Sequence, residues 1–272
     1  MSEVSVVPDL PYITFRLQDA HYGLHSLHVR EVLPVSSVVA LPGAPPHVRG
    51  LINLRGRTLT LVDTRVLYGM RSLPDELRAL AAMMGQREQD HRNWLAELEA
   101  CVQEGREFRL QLDPHQCAFG KWYDAFRTDN SGLAILLMRF DLPHRHIHAV
   151  GQQVIDLMHA GDREAARNLI ERTRKGALSA MIDLFQEFQR SALELSRELA
   201  IVLEYESQTF AIVADAIESA ESLGGTLKPA PNLWGSGAEA PIEFIAERAK
   251  DKSLILIPSM RFLAQAVKNT AS

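Results

Sequence analysis

His91-Arg-Asn-Trp94, Cys117-Ala-Phe-Gly-Lys-Trp122 and His144-Arg-His-Ile-His148 are the three segments around which the 272-residue chain is organised. Zinc takes four nitrogen or sulfur donors at the corners of a tetrahedron. His144 and His148 stand four residues apart, so on a helix of about 3.6 residues per turn both imidazoles project from one face, and His146 points elsewhere. Cys117 follows Asp113-Pro114 at the start of a helical run, where the positive helix end or a bound cation favours its thiolate. His91 offers the fourth donor from the preceding helix. The set His91, Cys117, His144 and His148 therefore predicts one four-coordinate zinc.

The order and spacing of these segments inside a helical stretch resemble the chemoreceptor zinc-binding domain. That resemblance implies a zinc-holding four-helix bundle in a bacterial signalling protein. Helices are expected near Pro74 to Glu104, Pro114 to Phe126, Ser131 or Leu142 to Met158, and Asp162 to Arg197, with Gly161-Asp162 as stop and N-cap between the last two. Trp94 and Trp122 are expected to pack beside the metal. Cys101, near Leu98 and Val102, reads as a small core residue rather than a disulfide partner.

Proline separates this stretch from its flanks. Residues 73–198 hold three of the 13 prolines, Pro74, Pro114 and Pro143, and the flanks hold the rest. Proline avoids helix interiors, so the middle reads as helical and the ends as strands with turns. Tyr12-Ile-Thr-Phe-Arg-Leu17, Thr58-Leu-Thr-Leu-Val62 and Ala200-Ile-Val-Leu-Glu-Tyr205 carry the short β-branched and aromatic runs of strands. Gly224-Gly225 and Trp234-Gly-Ser-Gly237 read as loops, with Trp234 exposed as a partner contact.

In the first flank, His21-Tyr-Gly-Leu24, His28-Val-Arg-Glu-Val32, Leu41-Pro-Gly-Ala-Pro45, Val48-Arg-Gly-Leu-Ile-Asn-Leu-Arg-Gly56 and Leu61-Val-Asp-Thr-Arg65 resemble the CheW-like adaptor domain of bacterial chemotaxis. The pattern resumes at Thr209-Phe-Ala-Ile-Val213, Asp215, Lys228-Pro-Ala-Pro231 and Ser253-Leu-Ile-Leu-Ile257. It departs from the family at Ala246 to Ala249 and at Pro258-Ser259. The resemblance implies an α+β multidomain chain: a pair of small five-stranded β-barrels, residues 1–72 and 199–272, interrupted after Tyr68-Gly69 by the zinc-binding four-helix bundle, residues 73–198. Gly50 and Gly56 are expected to bracket a strand centred on Asn53-Leu54-Arg55. By the same resemblance, Val29 and Glu31 mark a kinase-facing surface and Arg55 a receptor-facing one.

The implied function is that of a chemotaxis adaptor coupling the cytoplasmic tip of a chemoreceptor to a CheA-type histidine kinase. A homodimer through the helical bundle is left open. The zinc adjusts that coupling, sensing zinc or oxidants through its cysteine, or else it only staples a scaffold. A zinc hydrolase fits poorly, because four protein donors leave no open position and Arg145 stands where a zincin places its glutamate. A net charge of −5 and a pI near 6.1 speak against nucleic acid as a partner. Two cysteines, and a stretch from Met1 to Leu10 with neither a basic start nor an apolar run, point to a reduced cytoplasm. Leu133 to Met138, the most apolar run, is too short to insert in a membrane. His21, His25, His28 and His47 lack a ligand spacing and read as solvated or packed histidines.

Overall fold

The computed structural model describes residues 10–35, 37–128, 130–195, 198–223, 227–231 and 239–268. The expected loops at Gly224-Gly225 and Trp234 lie outside the described residues. The chain divides into two compact units, Met1–Leu73 with Arg197–Ser272, and Pro74–Ser196.

In the first unit the chain opens with strands β1 (Tyr12–Leu17), β2 (Ala20–His25), β3 (Val29–Pro34), β4 (Val48–Leu54) and β5 (Arg57–Val62), followed by the short helix α1 (Thr64–Leu67). The alternation read in the sequence puts Phe15 and Leu17 of β1 fully inside. Two corrections concern β4. Gly50 sits at a bulge with φ +137°, and a Cβ there would meet the Val39 carbonyl oxygen at 2.2 Å, so glycine lets residues 39 and 51 form an antiparallel bridge. Arg55 is not a strand centre. It forms, with Gly56, the two-residue turn joining β4 to β5, at φ +51° and +84°, the left-handed pair that matches strand twist.

The second unit follows as α2 (Leu73–Glu104), α3 (Ala118–Ala125), α4 (Ser131–Met138), α5 (Asp141–His159), α6 (Arg163–Thr173), a π-helical turn (Arg174–Leu178) and α7 (Ser179–Glu194). Three long rods, α2, α5 and the continuous α6–α7, thus accompany two eight-residue helices, a less regular arrangement than four plain helices. The expected second helix starts only at Ala118. The third breaks at Arg139-Phe140, where the fully buried Phe140 ring enters the core. Gly161, at φ +80°, ends α5, and the Asp162 carboxylate accepts from the Ala165 amide at 2.9 Å to cap α6. Met84, Leu95, Leu98, Phe119, Ile147, Phe185 and Phe188 form the core of this unit.

The chain then re-enters the first unit as β6 (Leu199–Tyr205), β7 (Gln208–Ala214), β8 (Ala216–Glu221), β9 (Lys228–Pro229), β10 (Ile242–Glu247), β11 (Leu254–Pro258) and α8 (Met260–Lys268). β6 pairs with β3 and β7 with β5, so residues on either side of the helical stretch complete one sheet. Its order is β3-β6-β7-β5-β4, and a second, six-stranded sheet runs β8-β1-β2-β11-β10-β9. The strand count therefore departs from two five-stranded barrels, the extra member being the two-residue β9. Among the described residues the edges β3 and β4 share no ladder. The connection between them bridges back to β4 at Val39–Leu51, and Arg55 in the turn after β4 pairs with Glu31 of β3 at 2.9 Å. Ile52, Leu59, Leu61, Val202 and Val213 fill the five-stranded sheet, and Phe15, Leu24, Phe210, Ile212 and Leu263 form a second cluster beside it.

Candidate metal centre and partner surface

Cys117 is the N-cap of α3: its Sγ accepts from the Gly120 amide at 3.2 Å and, as a thiol, donates to the Pro114 carbonyl at 3.3 Å. Gly120 is what permits this turn, because a Cβ there would lie 1.8 Å from the same carbonyl oxygen. His91 comes from the middle of α2, and His144 and His148 from successive turns of α5. One ligand atom from each of the four residues falls within 4.8 Å of the others. A tetrahedron with arms of about 2.0–2.3 Å has edges of about 3.3–3.8 Å, so the group needs to contract by only about 1 Å to hold zinc.

The local chemistry fits a metal. The His91 Nδ1 donates to the Arg87 carbonyl at 2.7 Å, which fixes the tautomer and turns a bare Nε2 inward. That Nε2 is buried without a hydrogen-bond partner, an arrangement that is unfavourable unless something else meets it, and the His148 ring is buried beside the backbone of Gln111 and Leu112 with no side-chain partner. The His144 Nε2 lies 3.2 Å from the Cys117 Sγ. Burial, followed by the neighbouring rings, pushes His144 down to about 3 and His148 down to about 4, and burial also lowers His91. All three imidazoles are therefore neutral at physiological pH, the state in which they bind metal. Burial pushes the Cys117 thiol up, and the backbone amides of Gly120 and Phe119 offset this only in part. The helix end expected to favour the thiolate is outweighed, and a bound cation would restore it.

Aromatic rings wall the site. Phe119 stands edge-on to His91 and His144, with centroids at 5.8 and 4.9 Å, and Trp94 lies 5.1 Å from His148 while its Nε1 donates to the Gln111 carbonyl at 2.9 Å. Trp122 packs next to Phe119 rather than on a donor ring. Gly151 makes room for Trp94, since a Cβ there would meet the indole at 2.8 Å. The Cys-x-x-Gly and His-x-x-Gly spacings are the sequence signal for Gly120 and Gly151, whereas the Arg87 carbonyl leaves none. His146 is exposed, as expected, and Cys101 is buried and free.

Residues 91–155 match the family model described as chemoreceptor zinc-binding domain, a span that contains all four donors, and residues 11–90 match the one described as CheW-like domain. The chain carries a CheW-like domain and a chemoreceptor zinc-binding domain. Its zinc-binding domain holds a cluster compatible with the metal for which that family is described. The CheW-like part is 35% identical over 66 residues to the chemotaxis protein CheW of Rhizobium meliloti, covering 24% of this chain and 43% of that protein. It is 33% identical over 63 residues to the probable chemotaxis protein CheW of Rhizobium etli, covering 23% and 41%. The match spans about two fifths of the length of these relatives. The crystal structure of the scaffolding protein TtCheW from Thermoanaerobacter tengcongensis aligns over 94% of this chain and 92% of that one, with 14% identity and a TM-score of 0.44.

On the CheW-like part, the three expected partner residues fall in different settings. Arg55, at the hairpin tip, has an 81% exposed side chain and pairs with Glu31 on β3. Val29 is half-buried and packs against the cluster of Phe15, Leu24 and Phe210. Side chains alternate along β3, so Arg30 and Val32 face outward instead, with Val32 41% exposed. Among the described residues no helix is long and apolar enough to cross a membrane.

Proposed function

We propose that the chain is a cytoplasmic chemotaxis adaptor that couples a chemoreceptor tip to a CheA-type histidine kinase, and that a zinc held by His91, Cys117, His144 and His148 adjusts that coupling. The observation that carries the metal assignment is the convergence of three imidazoles and one thiol, with the inward Nε2 of His91 buried and without a hydrogen-bond partner. The domain reading is a CheW-like pair of barrels, 1–72 and 199–272, interrupted by the zinc-binding bundle, 73–198. It is supported by the completion of one sheet from both sides of the helical stretch. The chemistry of the donor set favours binding over catalysis, because a full set of four protein ligands leaves no position for an activated water.

Oxidation of the cysteine removes one donor and weakens the metal site. A shift in the terminal helices is then felt at the connections to the sheets. Titration of the kinase regulatory domain onto zinc-loaded, zinc-stripped and oxidised protein, at a temperature where all remain folded, tests the reading. Allosteric couplings of about 1–3 kcal/mol predict affinities differing by about tenfold. Cys117→Ser is expected to lose the response to oxidant. Overlapping curves for the parent would leave the zinc as a structural staple, a reading favoured by the burial of all three histidines.

The partner surface is assigned to Glu31, Arg55 and the outward side of β3, with Val29 acting through the fold that supports it. Val32→Glu is expected to weaken kinase binding by about tenfold with little change in melting temperature, since the site is already solvated. Val29→Glu instead buries a charge against the Phe15 cluster and is expected to destabilise the protein by a few kcal/mol, about 2–4. Parallel pull-down and thermal melts separate the two. Unchanged binding in a folded Val32→Glu protein would remove β3 from the interface.

A further inference from the structure

We infer that Arg49 is a positioning residue that ties together the two chain ends from which the helical unit departs and returns, and links them through β4 to the Arg55 hairpin tip. On the departing side stands Asp63, which follows β5 and precedes α1 on the way to α2, and on the returning side stands Glu198, immediately before β6. Both are almost fully buried, at 1% and 4% exposure. The Arg49 Nη1 donates to the Asp63 Oδ2 at 3.1 Å and to the Glu198 Oε1 at 3.0 Å, and its Nη2 lies 2.9 Å from the Glu198 Oε2. One planar guanidinium thus fixes the separation of two carboxylates that are distant in sequence, as its rigid fork allows.

Backbone contacts converge on the same region. The Asp63 amide donates to the His47 carbonyl at 2.7 Å, and the Val35 amide donates to the Glu198 carbonyl at 2.9 Å. The Asp63 Oδ1 also caps α1 by accepting from the Val66 amide at 3.1 Å, so the carboxylate that Arg49 holds is one anchor of the short helix through which the chain leaves, the Arg65–Asp215 ion pair being another. Arg49 itself sits in the register break between Val48 and Gly50, and beyond it β4 runs in continuous register with β5 from Gly50 to Leu54 and ends in the tight turn bearing Arg55. A displacement of either end must therefore move Arg49, and a strand held by a ladder carries it toward the hairpin tip.

A role in stability alone does not account for Glu198. Burial raises its carboxyl group, and Asp63 beside it adds to the effect, while Arg49 compensates only in part. A buried ionic group replaced as a whole by well-packed apolar residues often costs no stability, and removal of one partner is costly only where it leaves the other charge unpaired. The device rests on the reading that the helical unit regulates the adaptor, and it adds the residue through which the signal passes.

Hydrogen exchange on the full-length protein, zinc-loaded and after chelation, provides the test. In the parent, chelation is expected to speed exchange within α2 and α5 and also, by about fivefold or more, in residues 48–62, which contain none of the four donors. In Glu198→Gln and Arg49→Gln the helical response should remain and the response of 48–62 should fall to within about twofold of zero change. Glu198→Gln keeps the Arg49–Asp63 pair and is expected to melt at or above the parent's temperature. A lower melting temperature with the parent's response of 48–62 intact would reduce Arg49 to a structural residue and overturn the inference. So would a parent in which the helices respond to chelation and 48–62 does not. Helices that ignore the chelator would instead overturn the metal assignment, and the inference with it.

Discussion

Replacing His148 by alanine is expected to weaken zinc binding more than about 100-fold, because loss of even an outer-shell partner of a ligand typically costs about 10–100-fold. The site explains the size of the effect. His148 is 2% exposed, and it stands 5.8 Å from His91 and 4.9 Å from His144 by ring centroids. Its removal leaves three donors and a cavity beside Trp94. Structural zinc binding is coupled to folding, so the melting temperature of the loaded protein should fall toward that of the stripped parent. The measurements are metal content by mass spectrometry and thermal melts with and without chelator. Stoichiometric zinc in His148→Ala would strike that residue from the ligand set. The stripped parent should also show the burden of its neutral histidines. The folded state holds His144 near 3 and His148 near 4, whereas the unfolded chain takes up protons near the ordinary value of 6.5. Below that value the unfolded state binds more protons, so stability falls as pH drops from 6.5 toward 4, by up to about 1.4 kcal/mol per pH unit for each such histidine. The slope should shrink in His148→Ala.

The cluster of His91, Cys117, His144 and His148 is legible in the sequence because chemistry restricts the residue types. Few residue types hold zinc, and the spacing of His144 and His148 follows from helix periodicity alone. Where the surrounding polypeptide bends was less legible. Nothing in Asp113-Pro114-His115-Gln116 shows that α3 waits until Ala118, because the delay depends on a carbonyl of residue 114 packing against the backbone of residue 120. The break at Phe140 is equally a tertiary effect, since Leu133 to Met138 and Asp141 onward are each good helix formers. In the other unit, strand periodicity located β1, β5 and β6. Arg55 reads as part of the strand because Arg at positive φ is uncommon, and only Gly56 beside it hints at the two-residue turn. Val29 illustrates the remaining gap. The period of two says that Val29 and Arg30 face opposite sides, but not which side is the core, and that is settled by the partner strand β6 and the Phe15 cluster.

Gly120→Ala should be nearly as damaging to the metal centre as loss of a donor, although residue 120 offers none. The added Cβ would lie 1.8 Å from the Pro114 oxygen, 2.9 Å from its carbonyl carbon and 3.0 Å from the Cα of His115, all of them backbone atoms that no rotamer change can move aside. Ordinary van der Waals separation demands a shift of about 1.5 Å between the 114–117 turn and α3. Cys117 lies in that turn, and its sulfur is held by both partners of the clash, accepting from the Gly120 amide and donating to the Pro114 carbonyl. Metal–donor distances tolerate only about 0.2 Å, so the shift takes the sulfur out of reach of the three histidines. The stripped protein is expected to lose about 1–3 kcal/mol from overpacking, and the loaded protein to lose more because the zinc contribution goes as well. Gly176→Ala is the matched control: its Cβ meets nothing within 4 Å inside a helical turn, so zinc affinity should be unchanged and stability equal or higher by about 0.5–1 kcal/mol. Competition with a chromophoric chelator measures the first quantity and denaturant melts the second. A Gly120→Ala protein that binds zinc as tightly as the parent would mean that the sulfur is not a ligand, or that α3 can slide along its own turn at little cost. A cobalt-substituted sample separates these, because the thiolate-to-cobalt absorption band persists only where sulfur still coordinates.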